Sequence, residues 1–123
     1  MNGEEAKALR SHLLDFAAKS STLTSKLLTY DGQQFEVRQL SLRDRKAIQK
    51  EAEDKKKDLN VLVAMHSTYV PGTDLRLFEG LDGEMVLLNQ GSGGLTDCLA
   101  ETMNDLILEA KAKGKPLASE PKT

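Results

Sequence analysis

At 123 residues, with a formal charge of −2, three Phe, two Tyr and no Trp, the chain suits one modest domain and lacks the length for several. Its single cysteine, Cys98, excludes an internal disulfide and suits a reducing compartment; on an apolar helix face it reads as a small core residue rather than a nucleophile. No run approaches the roughly 18 apolar residues of a membrane span, and the N-terminus has acids but no continuous apolar stretch, so a soluble, non-exported product is expected.

Residues 4–19 place Ala6, Leu9, Leu13, Phe16 and Ala17 at helical intervals, with Glu4 and Glu5 in the first turn. Residues 20–25, rich in Ser and Thr, lose that pattern and read as a flexible connector, so the first helix is expected to be hinged. Its amphipathic face then has two destinations, its own domain or a neighbouring subunit.

Asp31-Gly32 sits between two alternating runs and predicts a type I′ hairpin, because that turn needs positive φ at both central residues. The turn sets the register: Tyr30 opposite Gln33, Leu28 opposite Phe35, Lys26 opposite Val37. Leu28, Tyr30, Phe35 and Val37 share one face, with Thr29, Gln34, Glu36 and Arg38 on the other. An isolated hairpin is marginal in water, so that apolar face requires a cover.

Ser41 and Asp44 have the spacing of a capping box with a shorter acid. Leu42, Ala47, Ile48 and Ala52 follow at helical spacing among many charges. Lys55-Lys56-Lys57 is the most basic run, but Glu51, Glu53, Asp54 and Asp58 surround it and no aromatic residue stands near to stack on a base. Residues 59–70 carry a stripe of Leu59, Leu62, Val63, His66 and Tyr69 and are assigned to a helix, although several of them would tolerate a strand. His66 has only the distant His12 as a second imidazole and reads as a packing or surface residue, not a metal ligand.

Pro71-Gly72 ends that element. Residues 73–83 are expected to loop, with Leu75, Leu77, Phe78 and Leu81 folding back on the core, before a short helix over 84–89. The Gly91-Ser92-Gly93-Gly94 run lacks a preceding strand and a following Lys-Ser/Thr, so it is not a phosphate loop and reads as a flexible joint. Ser92 or Thr96 is expected to cap a final helix in which Leu95, Cys98, Leu99, Thr102, Met103, Leu106, Ile107 and Ala110 form a broad apolar face. Residues 72–110 carry eight acids against one base, Arg76. Such a half repels nucleic acid and suits a basic protein partner, or is simply a solvated face. Residues 111–123 turn polar and proline-containing and are expected to be disordered.

These elements sum to an α+β fold, mainly α-helical: a small β-hairpin packed with about four to five helices. The expected organisation is a hinged helix at 1–19, a linker at 20–25, a hairpin and helical domain at 26–110 and a tail at 111–123. No catalytic constellation assembles, and neither a cofactor nor a metal is implied. The face of the last helix is wide enough to meet both its own core, which is the first reading, and a partner helix; the candidate protein-binding residues are Leu95, Leu99, Met103 and Leu106 there and Leu9, Leu13 and Phe16 on the first helix. Met103 is placed at the outer part of its stripe.

The string LLTYDGQQFEVRQLSLRDRKAIQK, with its strand, Asp-Gly, strand, Leu-Ser and charged helix, resembles the opening of tail assembly chaperones of long-tailed bacteriophages. The hydrophobic second helix, the Leu77-Phe78 loop and the closing helix extend the resemblance over roughly residues 26–108, as a matter of layout rather than of a catalytic signature. It implies an oligomeric factor in the host bacterial cytoplasm that binds the tape measure protein while tail tube protein polymerises round it, and that is absent from the virion. It also implies a −1 ribosomal frameshift near the end of the frame, for which Gly114-Lys115 stands at the expected place. The alternative is a small nucleic-acid-binding regulator using the basic helix from Arg43 to Lys57, against which the acidic second half argues.

Overall fold

The computed structural model describes residues 1–20 and 22–114. In chain order they form α1 (Gly3–Lys19), β1 (Ser25–Tyr30), β2 (Gln33–Arg38), α2 (Leu42–Asp54), α3 (Leu59–Ser67), β3 (Thr68–Tyr69), α4 (Gly80–Leu88) and α5 (Leu95–Lys111). The fold is α+β and mainly helical, with one three-stranded antiparallel sheet in the order β1-β2-β3.

The hairpin has the register that its tip dictates. Asp31 and Gly32 take φ values of 49° and 82°, the left-handed pair of a type I′ turn, and Leu28 pairs with Phe35 and Lys26 with Val37. Along β1, half-buried Lys26, Leu28 and Tyr30 alternate with exposed residues. The apolar face is covered chiefly by α5, which packs on both hairpin strands and on α3. Between them lie Val37, Ile48, Leu62, Leu99, Met103 and Leu106, all essentially inaccessible to solvent.

A third strand replaces the expected end of the second helix. Residues 59–70 read as one helix, but α3 stops at Ser67, and Thr68 and Tyr69 pair with Val37 and Glu36 of β2. Its edge gains a second partner, since Leu77 N–H donates to Thr68 O at 3.0 Å and Val70 N–H to Leu75 O at 2.9 Å. That pairing draws residues 75–77 to the surface. Only Phe78 of the expected group folds inward; Leu75, Leu77 and Leu81 stay exposed.

Helix ends explain two sequence features. Asp44 N–H donates to Ser41 Oγ, the expected cap. At the other end of α2, Lys55 N–H donates to Glu51 O, Lys56 adopts φ 52° and Lys57 N–H reaches Ala52 O, a left-handed helix stop of the Schellman type. The lysine run is therefore a helix terminus, and Lys57 Nζ is held by Glu84 at 3.0 Å.

Further boundaries differ from expectation. The short helix starts at Gly80, not at 84, because Gly83 lies against the Phe78 backbone and lets α4 begin beside it. Neither Ser92 nor Thr96 caps α5: the N-cap is Gly94, and Thr96 Oγ1 donates to Leu87 O at 2.6 Å inside the core. The glycine run is not a loose joint, since Gly93 N–H donates to Asp97 Oδ2 at 2.7 Å and Asn60 Nδ2 donates to Asp97 Oδ1 at 3.1 Å. Those two donors hold the Asp97 carboxyl below its usual range, the Gly93 amide foremost. α5 runs to Lys111 with a turn to Lys113, past the expected start of the tail; the expected disorder otherwise falls on 115–123, outside the described residues. The linker expected at 20–25 gives up Ser25 to β1.

Gly83 offers a test of the α4 seat. A Cβ there would stand 2.8 Å from the Phe78 carbonyl carbon, so Gly83→Ala is expected to destabilise the fold by about 1–3 kcal/mol in denaturant unfolding. A change below about 0.5 kcal/mol would show that α4 is free to shift away.

Candidate functional site

The expected binding residues divide into two groups. Leu99, Met103 and Leu106 are 0–2% exposed and packed between the sheet and α3, as the core-first reading of this face expects. The correction falls on Met103, expected at the outer edge of its stripe. α3 and the hairpin strands pack on α5 from different sides and cover that side chain. Leu95, half-buried, packs on the same core.

Leu9, Leu13 and Phe16 have the opposite fate. No residue of α1 is buried, and Leu14 joins the exposed apolar side chains with Phe16 at 64%. The helix is nonetheless well built. Asn2 and Glu5 form a reciprocal capping box, Glu5 N–H to Asn2 Oδ1 at 2.8 Å and Asn2 N–H to Glu5 Oε1 at 3.0 Å. An ordered helix with an uncovered apolar side is a surface that favours association, since isolated helices of this length are marginal in water.

The sequence did not point to a second stripe. On α4, Gly83 and Leu87 face inward, whereas Leu81, Met85 and Leu88 recur at i, i+4 and i+7 on the outside, with Leu81 72% exposed. A helix beginning at 84 leaves Leu81 in the preceding loop, whereas the observed start at Gly80 brings it into the stripe. Acids border it at Asp82 and Glu84.

A third apolar surface is concave. Arg45, Ile48 and Gln49 of α2, Leu59 and Val63 of α3, and Met103, Ile107, Leu108 and Lys111 of α5 line a depression of about 450 Å³. Arg45, Ile107 and Lys111 also border a neighbouring hollow of about 320 Å³ that reaches Leu40 and Leu42. The two make one trough along the α2/α5 seam.

The most polar cleft, about 410 Å³, lies on the far face of the sheet, where Glu36, Arg38, Tyr69 and His66 meet. Its charges are committed to one another. The Arg38 guanidinium stacks 3.9 Å from the Tyr69 ring centroid, donates to Glu36 at 2.9 Å and Asp74 at 3.0 Å, and reaches the Thr73 carbonyl. Glu36 accepts from Gly72 N–H at 2.8 Å, and that amide first, then Arg38, holds its carboxyl below the ordinary carboxylate range. The network ties the 70–76 turn to β2, which is a structural task. Burial, then Arg76, lowers the His66 imidazole, which does not join it.

Among the described residues no group of His, Cys, Asp and Glu has the arrangement to hold a metal ion, and no helix is long and apolar enough to cross a membrane. The described surface carries an exposed helix, an exposed stripe and an apolar trough. No protein-family model, curated protein or solved structure matches the chain.

The lowered Glu36 carboxyl gives a pH dependence with a definite sign. Its contribution is fully present above the ordinary carboxylate range and is lost as pH falls through the lowered folded-state value. Glu36→Gln is expected to raise amide exchange at Gly72 at neutral pH and to flatten its acid dependence. Unchanged exchange at Gly72 would mean the turn is held without this carboxylate.

Proposed function

We propose that the chain is a protein-binding assembly factor of the tail assembly chaperone kind, which shields amphipathic helices of a long helical partner until assembly consumes them. The partner that the sequence resemblance implies is a tape measure protein, with tail tube protein as the polymerising subunit. The setting is the host bacterial cytoplasm, and the factor acts as a homo-oligomer that does not enter the virion.

The observation that carries this reading is the distribution of exposed apolar side chains. Leu9, Leu13 and Phe16 on α1 and Leu81, Met85 and Leu88 on α4 are grouped on helix faces at helical spacing. Scattered apolar residues are normal on a protein surface, whereas stripes of this kind are what helix–helix recognition uses. Met85 adds a flexible side chain suited to varied partner surfaces. The nucleic-acid alternative has less support: α2 ends at Asp54, and Lys57 is engaged by Glu51 and Glu84.

Co-expression with the product of a long, coiled-coil-rich reading frame adjacent to its gene tests the reading. A soluble complex is expected, and Leu13→Asp or Leu81→Asp should weaken it at least about tenfold without loss of helical signal, since each removes an apolar anchor exposed in the free protein. A neighbour that is soluble alone and ignores this chain would contradict the proposal.

A further inference from the structure

The trough along the α2/α5 seam differs from the two convex stripes in its charge. The residues lining it include two cations, Arg45 and Lys111, and no acid. That is unusual in this half of the chain, where α5 itself carries Glu101, Asp105 and Glu109. Asn104, Ile107, Leu108 and Lys111, at i, i+3, i+4 and i+7, line the trough; Glu101 and Asp105, three residues before Asn104 and Leu108, stand at its rim, and Glu109 lies further round the helix. Glu109 there pairs with Lys26 of β1.

Arg45 provides an independent observation. It stands where the two halves of the trough meet, and its Nε is buried with no hydrogen-bond partner among the described residues. A buried donor of a charged group left without an acceptor is costly, and a carboxylate that reaches the rest of this half-buried guanidinium would offset part of that cost. Around it, Ile48, Leu59, Val63, Ile107 and Leu108 supply apolar walls, with Leu108 60% exposed.

We propose that this trough docks a partner helix whose apolar stripe is flanked by carboxylates, one of which engages Arg45 and another Lys111. The inference rests on the helix-binding reading above and specifies where the partner sits and what chemistry it carries. The apolar walls take the stripe, and the two cations select the flank and its orientation. α1 of a second copy fits less well, because Glu5 and Arg10 border its stripe on opposite sides and its two flanks differ in charge.

Two labelled amphipathic peptides with the same Leu/Ala stripe, one flanked by Glu and one by Lys, test this on the full chain by fluorescence anisotropy. The Glu-flanked peptide should bind about tenfold tighter or more, with a preference that shrinks in high salt. Arg45→Gln combined with Lys111→Gln should abolish the preference while leaving the circular dichroism unchanged; Lys55→Gln, which removes an exposed cation that lines neither hollow, should retain it. Equal binding of the two peptides, or a preference that survives the double substitution, would overturn the trough assignment and leave helix binding intact. Binding of neither peptide would overturn both. A dimer of the chain that Arg45→Glu dissociates would give the trough to a second copy and likewise overturn the proposal.

Discussion

The burial of one stripe on α5 is the constraint on which the rest of the molecule depends. Leu99, Met103 and Leu106 lie between the sheet and α3, so a single helix provides the cover that a hairpin needs in water. Truncating a leucine in such a position removes about 2–5 kcal/mol, a large share of what a domain of this size has. Everything that contacts α5 is thereby fixed: α3 against one side, the strands against another, and α4 through the Thr96 bond to Leu87.

The same constraint decides where recognition can occur. A stripe consumed by the core is not free to meet a partner, so the best amphipathic helix of the sequence is the one least available. The accessible apolar surface is displaced to the periphery, onto α1, α4 and the outer flank of α5 at Ile107 and Leu108. These surfaces differ in shape and in charge. Two are convex stripes on single helices, and the third is a cation-bordered trough.

Local chemistry was legible in the sequence. The Asp31-Gly32 tip dictated register, the Ser41 cap and the Asp44 position marked a helix start, and period 3.6 located α1 and α5. Long-range pairing was not. Thr68 and Tyr69 are a strand because β2 offers a free edge, and nothing within residues 59–70 records the presence of that edge. Without β3, nothing in residues 75–77 or at Leu81 distinguishes an exposed leucine from one that folds inward, and the α4 stripe is illegible for the same reason. The Glu36–Arg38–Tyr69 network was equally hidden, because its members meet only once the third strand is in place.

The fate of the N-terminal site residues follows a different logic. Periodicity identified Leu9, Leu13 and Phe16 as one face, and what periodicity lacks is the identity of the surface that face meets. In the described structure that face stays exposed, while Leu99, Met103 and Leu106 of the α5 face are enclosed. Native-state hydrogen exchange of the isolated protein distinguishes those two helices most directly. Amides of α5 around Leu99 to Leu106 should exchange only through global unfolding, whereas those of α1 should exchange orders of magnitude faster, through local opening of an undocked helix. Protection of α1 equal to that of α5 would contradict this, because it would mean that the N-terminal apolar face is already covered.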